Sequence, residues 1–255
     1  MSRIWSLAAV LLIALPASTE AQDIVDGFQA RTHLGLKGAN MPYRLFVPDE
    51  RARLRPLPLI VYLHGGGGAG ADNLLQITGG NTAGSHSWTT AEMQRRHAAF
   101  VLAPQLPVNN RWSAPDSDLP SPYAALVLDL LGDLSKEFQI DADRIYLVGQ
   151  SLGGQGTWDL VSKRPDLWAA AVPLCSDGNT ERVRAARKVA IWAFHGAKDQ
   201  AVPVSGSRDL VAALRAVGSA IKYTEYPDVG HDVWTAAFAE PGLADWLFAQ
   251  RREPR

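Results

Sequence analysis

One serine of this chain lies in a pattern that could make it a nucleophile. Ser151 is the centre of Gly-Gln-Ser-Leu-Gly at 149–153, between an apolar run at 144–148 and a helix-compatible stretch at 152–163. The pattern G-x-S-x-G forms a nucleophile elbow when it follows a strand, makes a sharp turn between glycines and leads into a helix. Glycines are needed there because a serine in a strained turn leaves little space for its neighbours' side chains. We therefore predict that Ser151 attacks a carbonyl carbon; the alternative is that the glycines only allow close helix packing.

Two further residues could complete a Ser-His-Asp triad, in the chain order nucleophile, acid, histidine. The apolar run at 189–194 leads into Asp199, and the run at 221–226 leads into His231. A histidine that hydrogen-bonds the serine acts as its general base, and a carboxylate orients the histidine. We predict these roles for His231 and Asp199. The alternative is that His231 is an exposed loop residue without a catalytic role.

Other ionisable residues near strand ends are assigned lesser roles. Asp228 and Asp177 also follow strands and remain alternatives for the acid. His195 is expected to stabilise its own turn. No cluster of histidine, carboxylate and cysteine side chains suggests a metal site in the sequence, and acyl transfer by a serine needs no cofactor. We therefore predict neither a metal nor an organic cofactor.

A glycine-rich segment could stabilise the negative charge that develops on the substrate. The apolar run at 59–63 leads into His64 and four glycines at 65–68. Backbone amides of such a loop can form an oxyanion hole together with the amide after the nucleophile, at a helix N-terminus. We predict Gly66 and Leu152 as the two donors. A flexible turn is the alternative, and a phosphate-binding loop is disfavoured because no Gly-Lys-Ser/Thr ending follows.

The segments between these residues alternate between strand and helix patterns. Strands are predicted at 43–47, 59–63, 99–103, 144–148, 169–174, 189–194 and 221–226, and helices at 121–138, 152–163, 205–217 and 243–251. Such alternation predicts a mostly parallel sheet with helices on both faces, and ligands then bind at the carboxyl ends of its strands. The fourteen residues between Leu174 and Val189 leave no room for a large helical lid. We therefore expect an open site.

Composition limits the classes of partner. The chain of 255 residues is long enough for one large α/β domain. Its net charge of −1 offers no basic excess for nucleic acid or an anionic membrane, so neither partner is expected. The single cysteine, Cys175, excludes an intrachain disulfide and is expected to be a small buried hydrophobe.

The first residues are typical of an export signal. Arg3 precedes an apolar run at 4–15, and the small residues Thr19 and Ala21 suit a cleavage site. We predict a signal peptide at 1–21 and a catalytic domain at 22–255, secreted or periplasmic, with no membrane anchor after cleavage. A membrane anchor is the alternative, but the apolar run is short for a bilayer.

Seven short motifs together resemble a known family. They are MPYRLFVP at 41–48, LHGGG at 63–67, DN at 72–73, APQ at 103–105, GQSLGG at 149–154, FHGAKD at 194–199 and GHD at 230–232. In this combination the chain resembles the secreted esterases and predicted peptidases of the α/β-hydrolase superfamily, to which feruloyl esterases and polyhydroxybutyrate depolymerases are related. The resemblance covers nearly all of residues 22–255. It implies an α/β-hydrolase fold, the predicted triad and the two predicted oxyanion donors. Relatives often carry a Glu-Arg pair after the glycines, where this chain has Gly-Ala-Gly-Ala at 68–71, so any substrate contact made by that pair is missing.

The predicted activity is hydrolysis of a carboxylic ester through an acyl-enzyme intermediate. A serine peptidase of the prolyl oligopeptidase type uses the same triad, but the predicted domain has neither a propeller nor a large cap to confine peptides. A non-catalytic binding module would require an incomplete triad. Acetylated or feruloylated polysaccharide, polyester and small acyl esters all fit as substrates. Among the candidate aromatic contacts Trp88, Trp112, Trp158 and Trp234, we predict that Trp112 and Trp234 bind the substrate.

Overall fold

The computed structural model describes residues 23–35 and 38–252, and it is built around one nine-stranded sheet. The strands are β1 (Ile24–Val25), β2 (Phe28–Leu34), β3 (Asn40–Phe46), β4 (Leu57–Leu63), β5 (Phe100–Pro104), β6 (Ile140–Gln150), β7 (Ala170–Leu174), β8 (Ala190–Gly196) and β9 (Lys222–Tyr226). Their order is β1-β2-β3-β5-β4-β6-β7-β8-β9. The pairs β1–β2, β2–β3 and β3–β5 are antiparallel, and every pair from β5 through β4 to β9 is parallel. The prediction of a mostly parallel sheet is confirmed.

Within residues 23–35 and 38–252, seven α-helices connect or cover these strands. They are α1 (Thr82–His86), α2 (Ala91–Arg96), α3 (Pro122–Glu137), α4 (Leu152–Lys163), α5 (Ser205–Ala216), α6 (Trp234–Phe238) and α7 (Leu243–Ala249). The four predicted helices correspond to α3, α4, α5 and α7, each within two residues at either end. Within the described ranges, no helix has both the length and the hydropathy required to cross a bilayer.

The two faces of the sheet support separate hydrophobic clusters. All seven residues of β4 are buried, and successive residues point to opposite faces. Val61 belongs to a cluster that contains apolar side chains of α3, α4 and α5, whereas Ile60 and Tyr62 belong to a cluster that contains side chains of α7. Burial on both faces explains why the central strands are continuous apolar runs.

The strand predicted at 43–47 corresponds to β3, but the sequence patterns did not indicate β1, β2 or the short helices α1, α2 and α6. Strand β2 is mostly half-exposed, so its apolar residues do not form a run. Helix α1 contains Gly84, where a Cβ would lie 2.1 Å from the Tyr62 ring. Between β7 and β8 there is only a short 3₁₀ segment, Arg182–Ala186, as expected for an open site. The predicted signal peptide lies outside the described residues.

Candidate active site

Ser151 lies in a strained turn between β6 and α4. Its φ of 53° is in the left-handed region that non-glycine residues rarely occupy. A Cβ on Gly149 would lie 2.3 Å from the Gly153 carbonyl oxygen, and a Cβ on Gly153 would lie 1.9 Å from that of Leu63. The Ser151 amide donates to the Leu174 carbonyl oxygen at 3.0 Å. The two glycines are therefore required by close backbone contacts on both sides of the serine.

Ser151, His231 and Asp199 form one hydrogen-bonded chain. His231 Nε2 is 2.9 Å from Ser151 Oγ, and His231 Nδ1 is 2.7 Å from Asp199 Oδ2. Asp199 follows β8 and His231 follows β9, and the parallel arrangement of β6, β8 and β9 brings the three loops to one edge of the sheet. A proton on Nδ1 that is donated to the carboxylate leaves Nε2 free to accept the serine hydroxyl.

The two alternative acids lie elsewhere. Asp228 is exposed and pairs with Lys198 at 2.7 Å. Asp177 accepts a hydrogen bond from Gln155 Nε2 at 2.6 Å. Neither carboxylate is bonded to His231, so the geometry favours Asp199 as the partner of the histidine.

The Asp199 carboxylate is fully buried and has several donors. Oδ1 accepts the amides of Ala201 and Val202 at 2.8 and 2.9 Å. Burial raises the pKa of the Asp199 carboxyl, but these amides and His231 outweigh that effect and leave the pKa below its usual value. Asp199 is therefore an anion at neutral pH.

His195 is a second donor to Asp199 that sequence reasoning missed. Its Nε2 is 3.1 Å from the Val202 carbonyl oxygen, within its own turn, and 3.2 Å from Asp199 Oδ2. Burial lowers the pKa of His195, so the ring is neutral and Nε2–H can donate to both oxygens. The four-residue spacing of His195 and Asp199 after a strand was the only sequence signal for this contact.

His64 holds the glycine loop in place. Burial lowers the pKa of His64 to about 4, so the ring is neutral at pH 7. Its Nδ1 donates to the Gly65 carbonyl oxygen at 2.6 Å, and its Nε2 accepts the Leu106 amide at 3.0 Å. The Gly65 amide is bonded to Asn81 Oδ1 at 3.0 Å. Because both polar groups of Gly65 are occupied, the conformation of the peptide that carries the Gly66 amide is well determined.

The two predicted oxyanion donors lie beside Ser151. Gly66 lines the same cavity as Ser151 and His231. Leu152 is the first residue of α4, where the amides have no partner within the helix. Their role as oxyanion donors stays a prediction.

A buried polar network supports the glycine loop from behind. Gln105 is fully buried; its Nε2 donates to the Gly68 carbonyl oxygen and to Asp72, and its Oε1 accepts the Asn73 amide. The Asn73 carbonyl oxygen in turn accepts a hydrogen bond from Arg44 Nε at 2.5 Å. The motifs at 41–48, 72–73 and 103–105 thus converge on the loop that contains Gly66.

A cavity of about 350 Å³ opens beside the serine. Glycines 65–67 and 79–80 form much of its wall, and the other lining residues besides Ser151 and His231 are Leu75, Thr78, Asn81, Gln150 and Trp234. We call it the glycine-walled cavity. The Trp234 ring meets the His231 ring edge to face, with centroids 5.6 Å apart. Trp234 thus lines this cavity beside His231, and its contact with the substrate stays a prediction.

The prediction for Trp112 is wrong. Trp112 is fully buried, and its Nε1 donates to the His64 carbonyl oxygen at 3.3 Å. The ring fits because Gly156 has no side chain; a Cβ there would lie 2.3 Å from Trp112 Cβ. Trp112 therefore supports the glycine loop instead of the substrate. Trp88 and Trp158 are also buried.

One group of potential metal ligands lies within the described ranges. Cys175 Sγ, a carboxylate oxygen of Asp199 and a ring nitrogen of His231 are within 4.8 Å of one another. Asp199 and His231 are bonded to each other, and burial raises the pKa of the Cys175 thiol, which keeps it protonated. Cys175 is fully buried just after β7, as expected.

Comparisons with known proteins agree with this fold. The model of the Dienelactone hydrolase family matches residues 125–243. A protein described as "Putative esterase NocK", from Nocardia uniformis subsp. tsuyamanensis, is 25% identical over 237 residues, covering 92% of this chain and 65% of that protein. A solved thermostable esterase is 37% identical with a TM-score of 0.84, covering 90% of this chain and 64% of that one. A ferulic acid esterase structure shares the fold at 15% identity, with a TM-score of 0.68 and coverage of 86% and 98%.

The fold and these similarities place the chain in the α/β-hydrolase superfamily. The chain spans slightly less than two thirds of the length of NocK and of the thermostable esterase.

Proposed function

We propose that this protein is a serine hydrolase that cleaves carboxylic esters through an acyl-enzyme intermediate on Ser151. The observation that carries the proposal is the continuous chain of hydrogen bonds from Ser151 through His231 to the buried Asp199. A hydroxyl, an imidazole and a carboxylate in this order form the catalytic group of serine hydrolases on several unrelated folds.

Each residue has a defined task in this mechanism. His231 Nε2 accepts the proton as Ser151 Oγ forms a bond to the carbonyl carbon, and Asp199 stabilises the resulting imidazolium. The amides of Gly66 and Leu152 stabilise the negative oxygen of the tetrahedral intermediate. When the carbon–oxygen bond to the alcohol breaks, His231 returns the proton to the leaving oxygen. A water molecule then attacks the acyl group by the same route and releases the acid and free Ser151.

The names of relatives support an ester over an amide substrate. Both NocK and the thermostable esterase are described as esterases. An acylaminoacyl peptidase from Pyrococcus horikoshii shares the fold at 13% identity, which says nothing about the substrate of this chain. The substrate of the proposed esterase is a small or polymeric ester, and the sequence of residues 1–21 supports export of the protein. Nucleic acid is not a proposed partner.

The proposal is tested with Ser151→Ala and p-nitrophenyl acetate. We expect the variant to lose both the burst and the turnover while circular dichroism and the unfolding midpoint stay unchanged, since one hydroxyl at the surface of a turn is removed. Ser219→Ala is the matched control, because the Ser219 hydroxyl has no partner among the described residues and lies in the loop before β9. Undiminished hydrolysis by Ser151→Ala contradicts the proposal, and faster cleavage of a peptide p-nitroanilide than of the ester favours a peptidase.

A further inference from the structure

A second and larger cavity, of about 450 Å³, lies along α4. Gln155, Trp158, Asp159 and Ser162 follow one face of this helix and form the floor. The loop after β5, around 111–116, and the loop after β7, around 177–182, form the walls. We call this cavity the α4 groove. None of its lining residues lines the glycine-walled cavity.

The walls of the α4 groove are tied together. Lys163 and Asp159 form a buried ion pair at 2.8 Å, and Lys163 also donates to the Ala114 carbonyl oxygen. On the other side, Arg182 Nε donates to the Pro115 carbonyl oxygen at 3.1 Å. Because charged side chains with several bonds hold both loops, the groove is a built feature of the fold.

The groove begins next to the nucleophile. Gln155 lies one helical turn after Ser151, which corresponds to a rise of about 6 Å, and its amide donates to the Ser151 carbonyl oxygen. The Gln155 side chain extends into the groove wall through its bond to Asp177. Through Gln155, the start of the groove is therefore linked to the turn that contains Ser151.

The polar groups of the groove are of mixed type. Arg111 is exposed, and the structure gives its guanidinium no partner among the described residues. Asp116 is also exposed, and its carboxylate has no hydrogen bond or ion pair with any other described residue. Lys163 neutralises Asp159 and Asp118 pairs with Arg182, which leaves the Arg111 guanidinium and the carboxylates of Asp116 and Asp177, an excess of one negative charge.

A lining that offers both donors and acceptors suits a ligand rich in hydroxyl groups, because every hydroxyl both donates and accepts. An anionic ligand would face the carboxylates as well as Arg111. An alkyl chain would remove water from charged groups without replacing their hydrogen bonds.

We propose that the α4 groove binds the alcohol portion of the ester, and that this portion is a polyol. The inference rests on the proposed esterase activity and assigns to Arg111 a role in substrate specificity. The acyl portion then occupies the glycine-walled cavity, against Trp234. The exposed walls of the groove allow the polyol to leave before water attacks the acyl group.

The test compares three acetate esters that share the acyl group and differ in the alcohol: ethyl acetate, 6-O-acetylglucose and acetoxyacetate. We expect kcat/KM for acetylglucose to exceed that for ethyl acetate by at least about tenfold, the effect of one hydrogen bond to a charged group. Arg111→Ala should lower this ratio about tenfold. Arg95→Ala is the matched control, because Arg95 is exposed on α2 and does not line the groove.

Each other outcome overturns the proposal in a distinct way. A ratio near one in the wild type, or one that Arg111→Ala leaves unchanged, contradicts a polyol in the α4 groove while the esterase function stands. A preference for acetoxyacetate that Arg111→Ala abolishes identifies an anion site instead. If neither these esters nor p-nitrophenyl acetate are hydrolysed, the proposed function fails and the inference fails with it. Equal unfolding midpoints of the variants confirm that only specificity changes.

Discussion

Replacing Asp199 with asparagine tests the triad at its buried end. In the native protein, Oδ1 of Asp199 accepts hydrogen bonds from two backbone amides, and Oδ2 accepts a hydrogen bond from His231 Nδ1. An asparagine keeps the amide bonds only if its oxygen takes the Oδ1 position. Its NH₂ group then faces His231 Nδ1, which must become an acceptor. The ring proton is therefore moved to Nε2, and His231 can no longer accept the proton of Ser151.

The size of the effect follows from the loss of the correct tautomer and of the charge that stabilises the imidazolium. The same substitution in a serine protease triad costs about 10⁴-fold in turnover, or about 5.4 kcal/mol of barrier. We expect a comparable loss of kcat in Asp199→Asn. The KM should change little, because Asp199 does not line the glycine-walled cavity.

Turnover of p-nitrophenyl acetate by Asp199→Asn is measured beside Asp228→Asn. Asp228 is a matched control because it follows the neighbouring strand and its side chain is 84% exposed. Its substitution should cost less than about tenfold, or about 1.4 kcal/mol of barrier. A large loss in Asp228→Asn with little loss in Asp199→Asn would place the acid on the loop of His231 and refute the reasoning.

Three further predictions concern stability, acyl specificity and access. Burial lowers the pKa of His64 to about 4 in the folded protein, whereas an unfolded histidine takes up a proton near pH 6.5. The free energy of unfolding should therefore fall as the pH is lowered from 6.5 to 4, by up to about 1.4 kcal/mol per pH unit. In urea titrations, the free energy of unfolding of His64→Asn should depend less steeply on pH. Trp234→Ala should enlarge the glycine-walled cavity and raise the rate on p-nitrophenyl hexanoate relative to the acetate about tenfold, and an unchanged ratio excludes this contact. The loop between β7 and β8 contains only a short 3₁₀ segment and no large helical lid that an oil surface could open. The rate of tributyrin hydrolysis should therefore show no jump above the solubility limit of tributyrin.

The parts of the fold that local sequence determines could be predicted. Strand β4 and the second half of β6, residues 145–150, are buried, so their sequences are largely apolar runs, whereas the half-exposed first half of β6 was not predicted. The elbow glycines are predictable because the strained turn at Ser151 requires them. By contrast, β2 is a half-exposed antiparallel strand whose pairing with β3 stabilises it, and its own residues carry little strand signal.

The parts of the site that depend on contacts between distant segments could not be predicted. Trp112 was expected to contact the substrate, but the space left by Gly156 on α4 allows it to be buried. The α4 groove likewise depends on the bonds of Lys163 and Arg182 to a loop that is remote in sequence. No periodicity within either segment indicates such a contact.

The central claim is that Ser151 is the nucleophile, and covalent labelling by a fluorophosphonate followed by mass spectrometry tests it most directly. The wild-type chain should gain one adduct, and proteolysis should place the adduct on the peptide that contains Ser151. Folded Ser151→Ala should gain none. An adduct on a different residue, or ester hydrolysis that continues with Ser151 unlabelled, would contradict the claim.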